Sequence, residues 1–273
     1  MTKLIKSVAL GAAALGIFVL AGCGSSPQET GEPQYKIGIV QLVEHSALDD
    51  ASRGFVDGLK ARGFEEGKNV AIDRQNAQAD QSNLQNIVQR FISDKVNLIC
   101  AIATPSVQSA ANATKEIPIV GTAVTDYVSA KVVQSSEMPG GNVTGTSDMS
   151  PISDQIDLLL KLYPNAKTIG TIYSSSEVNS EIQVKEMTEY AAAKGLTVRT
   201  ATISTVNDIP QAAQSLVSDV DVFYEPSDNV IASAMPTLVS VTDPAGKGVI
   251  CAASTMVAAG GLATYGIDYY KLG

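Results

Sequence analysis

Tryptophan is absent from this chain, histidine occurs once (His45), and there are three cysteines in 273 residues. Each shortage excludes something. A single histidine has no set of partners with metal-ligand spacing, and Cys100 and Cys251 lie too far apart in sequence to form a metal motif, so no metal is expected. Both cysteines sit in apolar runs and read as buried free thiols, so no disulfide framework is implied. The chain also lacks a GxGxxG behind a strand, a GxxxxGK[ST] loop, a nucleophile elbow to accompany His45 and a paired-carboxylate motif. Catalysis therefore has no support, and no cofactor is expected. Charge of one sign is scarce as well: 19 basic against 28 acidic residues give a net charge of −9, which argues against nucleic acid. The one long apolar run, at 8–20, is shorter than the ~20 residues that a membrane span requires.

What that run does carry is a secretion signal. Lys3 and Lys6 precede it, and Leu20-Ala21-Gly22-Cys23 follows with the small residues that a lipoprotein signal peptidase needs before a cysteine. Residues 1–22 are expected to be removed, with Cys23 acylated as the new N-terminus and the protein held on the membrane by its lipid. Without residues 1–22, which hold two lysines and no acid, 17 basic and 28 acidic residues remain, a net −11. That charge is unsuited to lying on anionic lipid, so the acyl chains would do the anchoring. Residues 23–34, rich in Ser, Gly, Pro and Glu, read as a tether.

From Tyr35 onward short β-branched runs alternate with amphipathic segments. Strands are predicted at 36–40, 70–74, 98–103 and 118–122. The helices between them are marked by Leu48, Ala51, Phe55 and Leu59, by Leu84, Ile87, Val88, Phe91 and Ile92, and by 106–115. A stretch dense in helix breakers at 139–145 leads to a short strand and a helix at 152–162. The rhythm then restarts, with strands at 168–173, 197–202, 220–224 and 248–252 and helices at 178–194, 209–218 and 229–242. Such alternation means parallel sheets with right-handed crossovers, here an α/β chain of two Rossmann-like lobes, 35–145 and 146–273, with the crossover near 139–150.

Polar clusters stand at the ends of the strands, where open α/β sheets bind ligands. Thr104-Pro105-Ser106 behind the third strand is either an anion site of hydroxyls and free N–H groups or an ordinary cap with proline in the first turn. Ser227, Asp228 and Asn229 read either as a cap or as a site in which Asp228 pairs with a ligand ammonium. Thr125-Asp126 and Tyr173-Ser174 share that topological position, where ordinary turn chemistry would equally account for them, and Ser254 is a weaker candidate.

Four separated segments resemble one known family. They are Gln41-Leu42-Val43-Glu44-His45-Ser46-Ala47-Leu48-Asp49, Met138-Pro139-Gly140-Gly141-Asn142-Val143-Thr144-Gly145-Thr146, Glu225-Pro226-Ser227-Asp228-Asn229, and the run from Ala263 through Tyr269-Tyr270-Lys271-Leu272 to Gly273. In this order they are similar to the ABC-transporter substrate-binding lipoproteins of the aromatic-amino-acid type. The resemblance implies the type I periplasmic-binding-protein fold, an extracytoplasmic monomer, partnership with an ABC permease and its ATPase, and a small-molecule ligand, with an aromatic amino acid foremost. It also implies that Gln41, Glu44 and His45 border the ligand. Thr104 and Ser106 on one lobe and Asp228 on the other would hold the two ends of an α-amino acid, and the bridging ligand would favour closure. In the family more structure follows the Tyr269–Gly273 motif, so a C-terminal part is expected to be missing from this chain. A sugar is the nearest rival ligand, but such sites commonly use Trp and Arg, and this chain has no Trp and only five Arg. A branched-chain amino acid is a further candidate ligand. A membrane-tethered α/β enzyme, or a sensor or adhesion lipoprotein without transport, would be compatible with the same pattern.

Overall fold

The computed structural model describes residues 34–273, so the secretion signal, Cys23 and most of the tether lie outside it. In chain order the elements of the first sheet and its helices are β1 (Tyr35–Gln41), α1 (Ser46–Ala61), β2 (Val70–Asn76), α2 (Gln81–Ser93), β3 (Leu98–Ile102), α3 (Thr104–Ala113), β4 (Ile119–Val124) and β5 (Val143–Ser147). The second series is α4 (Ile152–Leu162), β6 (Thr168–Ser174), α5 (Val178–Ala193), β7 (Thr197–Ile203), α6 (Ile209–Leu216), β8 (Val222–Glu225), α7 (Asn229–Ser233), α8 (Met235–Thr242), β9 (Val249–Cys251), α9 (Ser254–Ala258) and α10 (Tyr269–Leu272). The strands pair in parallel as two sheets, ordered β2-β1-β3-β4-β5 and β7-β6-β8-β9.

The central strands are apolar because both of their faces are covered. Ile99 to Ile102 in β3 are fully buried, as are Val222 to Glu225 in β8. The edge strand β5 differs: only Val143 is buried, and Thr144 to Thr146 are exposed. Helix α2 rests on β1 through Phe91, and Gly38 makes room for it, since a Cβ there would lie 2.5 Å from the Phe91 ring. Cys100 and Cys251 are buried free thiols, and burial pushes both well above the usual thiol range.

One predicted element is divided. The helix expected over 229–242 breaks at Ala234, because Pro236 has no N–H to continue the ladder and can serve only in the first turn of a new helix, α8. Helix α10 packs against α1, where the backbone of Tyr270 comes so near Gly54 that a Cβ would meet its carbonyl oxygen at 2.0 Å.

Candidate functional site

Strand order reverses beside β1 in the first sheet and beside β6 in the second, since the next two strands in sequence flank each of them, β2 and β3 on either side of β1 and β7 and β8 on either side of β6. Loops that follow such strands diverge and leave a crevice at their C-terminal ends. A cleft lies there, ≈350 Å³ when the open solvent at its mouth is counted. The first sheet contributes His45 and Leu48 after β1 and Ala123 and Thr125 at the end of β4; the second contributes Asn179 after β6 and Ser227 to Asn229 after β8. Thr255 and Met256 after β9, Asp148 from the crossover and Tyr269 of α10 complete the wall.

The strand ends are conformationally unusual. Ala103 (φ 82°) and Ala123 (φ 55°) occupy left-handed backbone, a region costly for a residue with a Cβ and one that clusters at functional sites. Ala123 sits where the β4–β5 register shifts, which turns Thr125 toward Asp148: the Thr125 hydroxyl donates to Asp148 Oδ1 at 3.2 Å.

Buried carboxylates dominate the electrostatics. Asp148 also accepts the Tyr269 hydroxyl at 2.9 Å; burial raises its pKa, and these two hydrogen bonds work against that rise. Asp228 caps α7 by accepting from the Ile231 N–H at 2.9 Å, while its Oδ2 accepts from the Ser174 N–H and the Ser180 hydroxyl, each at 2.7 Å. Glu177 receives the N–H groups of Asn229 and Val230 and the side-chain amides of Asn179 and Asn229. Burial raises the pKa of both Asp228 and Glu177, with the charge of Asp228 adding to the effect on Glu177. Glu225, fully buried, accepts from the Ile172 N–H at 3.2 Å, and burial holds its carboxyl well above the usual range. Among the described residues no lysine or arginine lines the cleft. Burial lowers the pKa of His45, against the Asn229 hydrogen bond and the Asp49 charge, and its Nε2 lies 3.2 Å from Asn229 Oδ1, linking the loop after β1 to α7.

Of the residues singled out in the sequence, His45, Thr125, Ser227, Asp228 and Asn229 come together on the cleft. The others do not line it. Gln41 turns its amide to the Val43 carbonyl and to Asp49, Glu44 is exposed, and Asp126 closes a turn by accepting from the Val128 and Ser129 N–H groups. Thr104 and Ser106 are buried with hydroxyls that have no partner. Tyr173 packs against the second apolar cluster, Ser174 reaches the site through its N–H to Asp228, and Ser254 is exposed beside the lining residue Thr255. Sequence reasoning misses Asp148, Asn179, Thr255, Met256 and Tyr269. Asn179 and Thr255 each lie in the first turn of a helix behind a strand, the same signal that points to Thr104 and Ser227. Asp148 carries no such signal, because its place depends on how the crossover runs.

Two parallel α/β sheets with a polar cleft between their strand ends define the fold of type I periplasmic binding proteins. The chain belongs to the family of ABC transporter substrate-binding proteins, whose family model matches residues 36–273. It is 46% identical over 271 residues to a protein of Clostridioides difficile named tyrosine-binding protein, covering 96% of this chain and 79% of that one. A Streptococcus pneumoniae ABC domain in complex with L-Trp superposes with a TM-score of 0.85 at 41% identity, covering 88% of this chain and 81% of that one. The ligand-free, open structure of a Clostridium difficile substrate-binding protein with adhesive properties is more similar in sequence, 49%, yet its TM-score is 0.63 over 87% of this chain and 81% of that one. In shape, this chain is nearer to the ligand-bound relative than to the open one.

Proposed function

We propose that this chain captures a free aromatic L-amino acid, tyrosine or tryptophan, between its lobes and hands it to an ABC permease driven by its ATPase. The observation that carries this reading is the state of the cleft wall. Asp148 and Asp228 stand on it with no basic side chain among its described lining residues, and three enclosed polar atoms, His45 Nδ1, Asn179 Oδ1 and Thr255 Oγ1, have no partner. Buried polar atoms left unpaired are costly, so a ligand with an ammonium group completes the site. The tyrosine-binding name of one relative and the L-Trp bound to another support an aromatic side chain. Residues 35–145 and 146–273 are the two lobes of this reading, with α10 returning to pack on α1 of the first; the ligand bridges the lobes, and no chemical step is performed on it. The protein acts outside the cytoplasm as a monomer held to the membrane through acylated Cys23, and no helix among the described residues is long and apolar enough to cross a membrane.

A thermal-shift screen of the twenty amino acids and common sugars tests the reading. At 100 times Kd a ligand stabilises by about 2.7 kcal/mol, a clear rise in melting temperature. Tyrosine or tryptophan should give the largest rise, with 1:1 stoichiometry by calorimetry. A response to sugars with silence from every amino acid would overturn the assignment.

A further inference from the structure

Asn179 and Asn229 stand on either side of Glu177, and each directs its amide nitrogen at it. The orientation of Asn179 is fixed a second time, because its Nδ2 also donates to the Ser227 carbonyl at 3.1 Å, a group that can only accept. The Asn179 Oδ1 is therefore an acceptor, enclosed and unpartnered on the cleft wall. For Asn229 the consequence passes to a neighbour. With Nδ2 committed to Glu177, its Oδ1 faces His45 Nε2 at 3.2 Å, and a carbonyl oxygen can only accept. His45 Nε2 must then carry the proton, so a neutral imidazole keeps a bare lone pair on Nδ1. That atom too is buried without a partner, on a ring that lines the cleft from the other lobe.

We propose that Glu177 is a positioning residue that sets the hydrogen-bonding polarity of the cleft, leaving His45 Nδ1 and Asn179 Oδ1 as a pair of acceptors, one from each lobe, that take the ligand's ammonium group. Two unfilled acceptors call for a ligand group with at least two donor hydrogens. An ammonium has three, whereas a phenol or indole offers one and satisfies only one side. The ammonium thereby joins the lobes through neutral acceptors. This rests on the amino-acid reading of the cleft.

Because His45 is the only histidine in the chain, ¹⁵N-histidine labelling gives one imidazole to observe in the full protein. The free protein should show the Nε2–H tautomer. Adding L-tyrosine should move the Nδ1 resonance toward that of a hydrogen-bonded acceptor, with Nε2 unchanged, whereas 3-(4-hydroxyphenyl)propionate, which lacks the amine, should leave Nδ1 where it was. An Nδ1–H tautomer, or equal Nδ1 shifts with both compounds, overturns the proposal even when tyrosine binds. Failure of every amino acid to bind instead overturns the functional reading, and the free-protein tautomer still reports on Glu177. In Glu177→Gln, whose amide can point its own N–H groups at Asn229, the Nε2–H signature should be lost or mixed and tyrosine affinity should fall about tenfold or more, in line with one hydrogen bond to a charged group. Retention of the wild-type tautomer in a folded Glu177→Gln protein would show that Glu177 does not set it.

Discussion

Asp228 shows how one side chain serves local structure and site at once. As a cap alone, Asp228→Asn would cost little, because asparagine caps a helix about as well as aspartate. The structure adds two donors that a sequence does not display: the Ser174 N–H of β6 and the Ser180 hydroxyl of α5 both reach Oδ2. An asparagine that keeps the cap on Ile231 must turn its own N–H₂ toward those donors. Asp228→Asn is therefore expected to lower stability by about 1–3 kcal/mol, the cost of leaving a buried donor unpaired, measured as a fall in the urea midpoint with unchanged m-value. Asp228→Ala should cost more. Stability equal to the parent would mean that Ser174 and Ser180 find other partners, and that Asp228 is free to turn toward the ligand.

At the scale of elements, the alternation of β-branched runs and apolar stripes specified nearly every strand and helix, because parallel strands buried on both faces and helices packed on them each impose a period that side chains must obey. The break at Ala234 was legible in principle from Pro236. The site was legible only where a residue follows a strand in sequence, as His45, Thr125 and Ser227 to Asn229 do. Asp148 and Tyr269 reach the cleft through the crossover and through the return of α10 to α1, which depend on contacts between residues more than a hundred positions apart. Gly54 tests that return. Its missing side chain lets the Tyr270 backbone seat on α1, so Gly54→Ala, which favours an isolated helix, should here destabilise by about 1–3 kcal/mol through overpacking. Affinity for the proposed ligand should fall with it, since α10 carries Tyr269. A stabilised Gly54→Ala protein would show that α10 does not rest on α1 in solution.

Across the whole molecule the acids fall into two populations, and their opposed shifts set the pH profile. Exposed carboxylates such as Asp208 and Asp221 accept backbone N–H bonds that lower their pKa, so their stabilisation is present above the ordinary carboxylate range and lost as pH falls through their folded values. Asp148, Glu177, Glu225 and Asp228 are shifted the other way, with burial as the largest cause in each. In the window between their ordinary and their raised values the folded protein binds more protons than the unfolded chain, so stability falls as pH rises through it. The melting temperature should accordingly climb on acidification from about pH 8, a rise that His45, its pKa lowered by burial, opposes below its ordinary value of about 6.5, and drop below about pH 4, where the exposed acids protonate. Glu225 is the sharpest probe, because a single backbone N–H offsets its burial. Glu225→Gln removes the titrating group while keeping an acceptor for Ile172, and it should flatten the alkaline side of the profile and leave the acid side in place. Melting curves collected at half-unit pH steps on both proteins decide the matter: a parent midpoint that rises with pH between about 6.5 and 8, the interval above the ordinary carboxylate and histidine values, would mean that the buried acids are held ionised by water or protein donors in solution.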